Sequence, residues 1–200
     1  MAFKKYTLAA FVLAAFSGSA LAANTDAGTI TFHGLVSGNT CQISLKDDPI
    51  NTQAATNDFN VTLPTVFVKD FVTGSTDSVD SALGKTPFTL VLSNCDASAK
   101  GASAQFDSWS GSSASTAGAL VPQSGLQGAA SNVNLVLHNA GNGASDLIKI
   151  DQTNNTQHVT WDPDNNESGG ELIYNVAYMN TGAVSSGVVQ AQVAFTMQYE

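Results

Sequence analysis

The last twelve residues of the chain, VQAQVAFTMQYE (189–200), decide the fold class. Apolar residues alternate with mostly polar ones throughout this stretch, and a period of two is typical of a β-strand with one buried face. The apolar set comprises Val189, Ala191, Val193, Phe195, Met197 and Tyr199. The sequence therefore predicts a regular strand at the end of the chain, and we expect no further strand after it.

Similar but shorter segments occur upstream of this strand. Residues with strand patterns are 29–32, 60–63, 87–92, 104–106, 132–137, 147–150 and 172–178. Clusters of Gly, Ser, Asn and Asp separate them, and short strands punctuated by turn residues indicate an all-β sandwich or barrel. Beyond the first residues, no window sustains the 3.6-residue period of a helix, and residues 79–83 predict a single helical turn at most.

Composition excludes several classes of function. The chain has 200 residues, of which 43% are apolar and 12% are charged, and its formal charge is −9 without a single Arg. An apolar fraction of this size can fill a core, so we expect one folded domain rather than disorder. Binding to nucleic acid requires a positive patch that neutralises phosphates, and this chain cannot build one.

The N-terminus has the features of a secretory signal peptide. Lys4 and Lys5 precede an apolar run over residues 7–16, which is too short to span a bilayer as a helix. Small residues at Ala20 and Ala22 predict cleavage after Ala22. We therefore interpret residues 1–22 as a signal peptide, with an N-terminal membrane anchor as the alternative.

The chain contains two cysteines, Cys41 and Cys95. Export places them in an oxidising compartment, where an isolated pair predicts a disulfide. Two free thiols or a metal-binding pair are the alternatives, and no nearby His supports a metal site.

Four segments and the position of Cys41 together resemble subunits of chaperone–usher fimbriae, the type 1-like major pilins. Residues 25–34 are similar to the donor segment of that family, with its GT-x-x-F-x-G pattern, and Cys41 follows Gly34 by seven residues. Residues 88–96 resemble the strand that carries the second half-cystine. Residues 178–182 are similar to the turn before the last strand, and residues 194–200 match the family's ending, with Phe four residues before a penultimate Tyr.

The resemblance implies an incomplete immunoglobulin-like β-sandwich that lacks its last strand and is completed by a donor strand from another chain. It divides the chain into a signal peptide (1–22), an N-terminal donor-strand extension (23–37) and a pilin domain (38–200). The donor residues that it implies are Gly28, Ile30, Phe32 and Gly34. The residues expected to form the groove and the strand recognised by a chaperone are Val193, Phe195, Met197 and Tyr199.

The implied function is that of a structural subunit of an adhesive surface fimbria, exported through the periplasm. The implied partners are identical or related pilin subunits, a periplasmic chaperone and an outer-membrane usher, with contact to a host glycan through a separate tip adhesin. Nucleic acid is not among them. A minor adaptor subunit of the same fibre is an alternative role.

The sequence does not favour an enzyme, a metal site or a cofactor. It has three histidines, His33, His138 and His158, and no Gly-x-Ser-x-Gly motif accompanies them. His33 falls on the polar alternation of the donor segment, as expected for a solvated side chain. An acidic run comprises Asp162, Asp164, Glu167 and Glu171; its start imitates a calcium loop, but Glu167 and Ile173 stand where that loop needs Gly and Glu. We interpret it as an exposed turn.

A secreted carbohydrate-binding sandwich is the second hypothesis. Four aromatic residues could stack on sugar rings: Trp109, Trp161, Tyr174 and Tyr178. The strand alternation makes Tyr174 and Tyr178 equally good core residues, whereas both tryptophans lie beside polar turns.

Overall fold

The computed structural model describes residues 28–35, 41–46, 58–71, 82–141, 146–153 and 155–200, and for residues 28–35 it describes the backbone alone. Three predicted features lie outside these ranges. They are the signal peptide (1–22), the boundary between the donor-strand extension and the pilin domain at residues 37 and 38, and residues 79–81 of the helical turn. Within them, all regular structure is β apart from two 3-10 turns, Val68–Asp70 and Pro163–Asn165. No helix in the described part is long and apolar enough to cross a membrane.

Twelve strands make up the described fold. They are β1 (Gly28–Leu35), β2 (Gln42–Leu45), β3 (Asp58–Leu63), β4 (Leu83–Ser93), β5 (Gly101–Ser108), β6 (Ser113–Ala114), β7 (Leu120–Val121), β8 (Val133–Asn139), β9 (Leu147–Ile148), β10 (His158–Thr160), β11 (Gly170–Asn180) and β12 (Gln190–Tyr199).

The strands form two sheets. The first has the order β10-β5-β12-β1-β3, and the second has the order β2-β4-β11-β8-β7-β6, with β9 paired to β8. Aromatic rings connect the inner faces: Phe106 of β5 meets Tyr174 of β11 edge-on at 5.1 Å between ring centroids, and Phe88 of β4 lies 5.4 Å from Tyr174. The predicted all-β, immunoglobulin-like sandwich is thereby confirmed.

The C-terminal strand follows its predicted alternation. Ala191, Val193 and Phe195 are fully buried, whereas Thr196 and Gln198 are exposed. This face packs into a single core with the inner residues of β4 and β11, among them Leu90, Leu172 and Val176. Because every second side chain of this segment is buried, the segment forms a strand with one face in the core. A shift of one residue would expose that face, so the register is fixed.

Sequence patterns did not predict four strands: β2, β6, β7 and β10. Each has two to four residues, which is too few for an alternation to stand out. The strand β8 is buried on both faces, because a small second cluster of Ala119, Val136, Ala177 and Met179 covers the outside of the second sheet. The predicted helical turn is wrong at its last residue, since Leu83 begins β4.

Candidate assembly groove

The C-terminal strand β12 has a different neighbour on each side. Along one edge it pairs antiparallel with β5, from Val193 opposite Ser108 to Tyr199 opposite Ala102. Along the other edge it pairs parallel with β1, from Thr29 opposite Gln190 to Leu35 opposite Thr196. A parallel pair is unusual beside an otherwise antiparallel sheet, because parallel neighbours need a long connection. Here that connection is almost the whole chain.

The strand β1 fills a gap between β12 and β3. It pairs antiparallel with β3, from Gly28 opposite Leu63 to His33 opposite Asp58. Among the described residues, β1 is the sole strand partner of β3. Without β1, the first sheet would therefore consist of β10, β5 and β12, and β3 would have no backbone hydrogen bonds to it.

Large apolar side chains underlie this gap, which we call the assembly groove: the space between β12 and β3 that β1 occupies. Phe59 of β3 and Phe195 of β12 stack with their ring centroids 6.0 Å apart and an interplanar angle of 18°. The buried side chains of the two bordering strands are Phe59, Val61, Leu63, Val193, Phe195 and Met197. Tyr199 is half-buried, and its hydroxyl has no hydrogen-bond partner.

An apolar pocket adjoins the end of the groove at which β12 begins. Its volume is about 150 Å³, and its lining includes Val66, Phe71, Val133, Tyr178, Val184 and Val189. Phe67 and Val68 beside it are 59% and 44% exposed, and the Lys69 ammonium lies 5.6 Å from the centre of the Phe67 ring. The groove thus opens at this end onto an exposed apolar surface, which sequence patterns did not reveal because residues 66–71 show no strand or helix period.

The predicted disulfide is present. Cys41 and Cys95 are bonded to each other, and the described residues contain no free cysteine. Cys41 immediately precedes β2 and Cys95 follows β4, so the bond ties an edge strand of the second sheet to its neighbour. It also fixes the point at which the chain that follows β1 joins the sandwich.

The predicted donor residues all lie in β1. Ile30 is opposite Ala191, Phe32 opposite Val193 and Gly34 opposite Phe195, while Gly28 begins the strand opposite Leu63. The chain thus places its own N-terminal segment in its own groove. The prediction that this segment fills the groove of a neighbouring subunit remains a prediction, as does recognition of β12 by a chaperone.

The carboxylates of the acidic turn are used within the turn. Asp162 accepts hydrogen bonds from the backbone N–H of Asp164 at 3.0 Å and the side-chain amide of Asn165 at 2.7 Å. Glu167 accepts one from the backbone N–H of Asp162 at 3.0 Å. These bonds cap the short 3-10 turn, as carboxylates commonly do at such termini. The described residues contain no cluster of His, Cys, Asp and Glu suited to a metal ion.

Three of the four aromatic residues considered for sugar stacking are buried. Trp161, Tyr174 and Tyr178 belong to the core, and Trp109 alone is half-exposed. Burial raises the pKa of the Tyr174 hydroxyl, although the amide of Asn155 donates a hydrogen bond to it. An aromatic platform for sugars therefore does not form from these residues.

Sequence patterns missed two buried polar residues, Gln157, which precedes β10 of the first sheet and bonds to the second, and His138, which lies in the second sheet. The side-chain amide of Gln157 both accepts from the backbone N–H of Ile173 and donates to its carbonyl, each at 2.7 Å, and so imitates a neighbouring strand. His138 on β8 is 2% exposed, and neither ring nitrogen has a partner. Burial and the positive charge of Lys85 lower the pKa of His138. The hydrogen bonds of Gln157 go to β8 and β11, and His138 lies on β8, so we assign both residues to the body of the sandwich.

Comparison with known proteins is consistent with this architecture. The family model described as "Fimbrial protein" matches residues 30–200. The major fimbrial subunit SMF-1 of Stenotrophomonas maltophilia (strain K279a) is 33% identical over 183 residues, which cover 90% of this chain and 96% of that protein. A major fimbrial subunit of Haemophilus influenzae is 28% identical, with 98% and 100% covered, and the F17 fimbrial protein of Escherichia coli is 30% identical, with 94% and 95% covered.

The solved structures that resemble this chain include the Burkholderia pseudomallei antigen and type I fimbria protein BPSL1626. It is 25% identical with a TM-score of 0.43, and the match covers 86% of this chain and 93% of that one. The match to the family model spans the assembly groove, both sheets and the disulfide, and the curated relatives are aligned over nearly their full length. The chain belongs to the fimbrial protein family.

Proposed function

We propose that this fimbrial subunit polymerises by donor-strand exchange, in which the N-terminal segment of one copy fills the assembly groove of another. The observation that carries the proposal is the groove itself. A strand position between β12 and β3 is filled by a segment at the far end of the chain, and large apolar side chains line the two bordering strands. Strand addition at such a site combines main-chain hydrogen bonds with side-chain pockets.

Family membership provides the broader function. The chain is a structural fimbrial subunit, it assembles with related pilin subunits, and it acts in the fimbrium outside the cell. Its small share of charged residues, 12%, and its polar outer strand faces suit such a role. The proposal adds the mode of assembly, the residues that carry it and the route to the surface.

The geometry favours one direction for the donor strand in a fibre. Leu35 ends β1 beside Thr196, and the chain then joins the body at Cys41, near the end of the sandwich where β12 finishes. A donor from another copy that ran parallel to β12 would place its own body at that same end. Two copies would then face each other and close into a two-fold dimer, which cannot grow.

An antiparallel donor places its body at the opposite end, where β12 begins. The recipient's own N-terminal segment is then free to reach a third copy, and head-to-tail addition can continue without closing. The apolar pocket and the exposed Phe67 and Val68 lie at the end where the next body arrives. We therefore propose an antiparallel donor strand in the fibre.

Exposed edge strands and an unfilled apolar groove promote aggregation, so a subunit in transit needs a temporary partner. We propose that a periplasmic chaperone lends a strand beside β12 and that an outer-membrane usher then directs the exchange. Val193, Phe195, Met197 and Tyr199 form the strand that the chaperone contacts. A role as a minor adaptor subunit uses the same groove and differs in copy number.

The decisive experiment places a charge on the predicted inward face of the donor segment. We expect Phe32→Asp to abolish detergent-resistant fibres, because a carboxylate would have to enter the apolar groove of the neighbour. The chaperone-bound yield should stay normal, since that complex does not use this segment. Thr31→Asp is the matched control on the opposite face and should assemble normally.

Fibres are measured as ladders of sheared surface protein in unheated detergent gels, alongside the yield of chaperone complex for each variant. Normal ladders from an Ile30→Asp, Phe32→Asp double variant would show that this segment is not the donor strand. Loss of both ladders and chaperone complex would indicate a folding defect instead.

A further inference from the structure

The large apolar side chains that are exposed in the described part of the chain all lie at one end of the sandwich. They are Phe67, Val68 and Trp109, which are 59%, 44% and 49% exposed. Phe67 and Val68 follow the end of β3, which lies across β1 from the start of β12. Trp109 follows Ser108, the last residue of β5, which is opposite Val193 near the start of β12. We call this end, where β12 begins, the opening end.

Hydrogen bonds hold the turn that carries Trp109 in place. The backbone N–H of Ser112 donates to the Trp109 carbonyl at 3.1 Å, and the side-chain amide of Gln123 donates to the Ser110 carbonyl at 2.7 Å. The Ser112 hydroxyl accepts from the backbone N–H of Gln192 in β12 at 2.9 Å. The indole ring is therefore presented on a fixed support beside the groove, and a rigid aromatic ring loses little conformational entropy when a partner covers it.

The surface on the other side of the groove combines apolar side chains with a positive charge. Phe67 and Val68 belong to the lining of the apolar pocket, which has a volume of about 150 Å³. Lys69 and Asp70 are the next residues of this turn, and the Lys69 ammonium lies 5.6 Å from the centre of the Phe67 ring. Exposed apolar patches mark sites of contact with other proteins, and the ammonium against the ring favours a partner that presents carboxylates.

The acidic turn, residues 162–167, lies at the opposite end of the sandwich. The backbone N–H of Cys95 donates to the carbonyl of Ser168, which directly follows this turn. Cys95 is also bonded to Cys41, where the N-terminal segment joins the body, so we call this end the tether end. The turn carries three exposed carboxylates and one proline: Asp162, Pro163, Asp164 and Glu167.

We propose that the opening end of each subunit binds the tether end of the next subunit in the fibre, which covers Phe67, Val68 and Trp109 and places the acidic turn against Lys69. The inference rests on the proposed function, because head-to-tail donor-strand exchange brings these two ends together. An antiparallel donor leaves the groove at the opening end, and its own body follows it there. The contact is therefore continuous with the assembly groove.

A contact between bodies changes the mechanical properties of the fibre. A donor strand by itself joins two subunits but leaves the angle between their bodies unspecified. The second contact removes apolar surface of the opening end from water and fixes that angle. The fibre is therefore stiffer than a chain of subunits that are joined by strands alone.

The first test exchanges charges between the two ends. Lys69 and Asp164 lie at opposite ends of one subunit, so they can meet only between copies. We expect Lys69→Glu to shorten the persistence length of sheared fibres in electron micrographs, because it places a carboxylate against the acidic turn. Asp164→Lys in the same chain should restore the length, and Lys149→Glu, away from both ends, is the control and should not change it.

Detergent-resistant ladders should be unchanged in all three variants, because strand exchange does not use these side chains. Normal stiffness in Lys69→Glu would overturn the contact between ends. A double variant that is no stiffer than Lys69→Glu would overturn it as well.

Quenching of tryptophan fluorescence by acrylamide gives a second measurement, which needs no substitution. The chain has two tryptophans, and because Trp161 is 5% exposed, the quenched emission comes from Trp109. We expect that quenching to be lost when the mature monomer, residues 23–200, is compared with fibres. Trp109→Phe is the control and should remove the quenched emission from both samples. Equal quenching of Trp109 in monomer and fibre would show that the opening end stays uncovered and would overturn the proposal.

These outcomes are separable from a failure of donor-strand exchange. Ladders that depend on Phe32, in fibres whose Trp109 is quenched as in the monomer, would retain donor-strand exchange and exclude the contact between ends. Protection of Trp109 in fibres that still form with Ile30→Asp and Phe32→Asp would retain the contact and exclude this segment as the donor.

Discussion

The two sheets of the sandwich differ in how their central positions are filled. In the second sheet, β4, β11 and β8 are antiparallel neighbours, and all three belong to the folded body. In the first sheet, the position between β12 and β3 is held by β1, which is parallel to β12 and joined to the body by a short tether. The comparison shows that one sheet is built from strands of the folded body, whereas the other has a central position filled by a terminal segment, which is the position that the proposed exchange would use.

The side chains agree with this division. The second sheet has the disulfide at one edge and a second apolar cluster on its outer face, and its strand β11 is bonded by the side-chain amide of Gln157. Each of these fixes the relative positions of strands within the body. In the first sheet the stacked rings of Phe59 and Phe195 belong to the two strands that border β1, so an aromatic contact lies at the position where we propose that strands are exchanged.

The largest effect is expected in the first sheet, from Phe195→Asp. Loss of a large buried aromatic side chain costs about 3–5 kcal/mol, and an unpaired buried charge adds to that. Because whole domains are stable by about 5–15 kcal/mol, we expect little folded protein. Circular dichroism of the periplasmic fraction would measure it. Thr196→Asp, on the exposed face of the same strand, is the control and should fold normally.

Removal of the disulfide tests the stability of the second sheet. We expect Cys41→Ser to lower the free energy of unfolding by about 2–5 kcal/mol, because the bond closes a 54-residue loop in the unfolded chain. Urea unfolding without reductant measures the loss. Cys95→Ser and the double variant should lose the same free energy of unfolding as Cys41→Ser. A much larger loss in the double variant would show that the cysteines contribute to stability by more than this bond.

A smaller effect is expected from Gln157→Leu, whose side-chain amide bonds to β8 and β11 of the second sheet. The substitution leaves the backbone N–H of Ile173 and the side-chain oxygen of Asn139 without the partners they have now. Buried groups left in this way cost about 1–3 kcal/mol. The exposed Gln198, which bonds to Gln105, offers the control Gln198→Leu. Equal losses in the two variants would mean that burial of the amide is unimportant.

The pH dependence of stability tests the second sheet, through His138 on β8. Burial and Lys85 lower the pKa of His138 in the folded state below its ordinary value of 6.5, so the proton binds more tightly to the unfolded chain. Stability from this residue is therefore complete above pH 6.5 and is lost as the pH falls through the lower, folded pKa. The slope is at most about 1.4 kcal/mol per pH unit.

Urea unfolding at pH 7.5, 6.5 and 5.5 would measure that slope. His138→Gln should flatten the curve between pH 6.5 and 5.5, whereas His158→Gln, at an exposed position on β10, should leave it unchanged. A slope that persists in His138→Gln would assign the acid sensitivity to other groups.

The alternation of apolar and polar residues was enough to predict the strands that have one buried face. The pattern of residues 189–200 predicts β12 almost to the residue, and the segments at 60–63 and 172–178 fall within β3 and β11. The disulfide was equally accessible, because an exported chain with two cysteines offers one pairing. The resemblance of residues 25–34 to the donor segment of a family predicted a role for the segment that forms β1, and that role stays a prediction.

Tertiary structure decided everything that depends on contacts distant in sequence. Short strands such as β2 and β10 exist because a longer neighbour provides their hydrogen bonds, and β8 is buried on both faces only because the second apolar cluster covers its outer face. Trp161 has the sequence surroundings of a surface residue and is 5% exposed. The partner and direction of β1 belong to the same class. Its alternation predicts a strand with one apolar face, but backbone hydrogen bonds carry no sequence signature, and only the positions of β12, β3 and Cys41 determine which edges β1 fills and which way it runs.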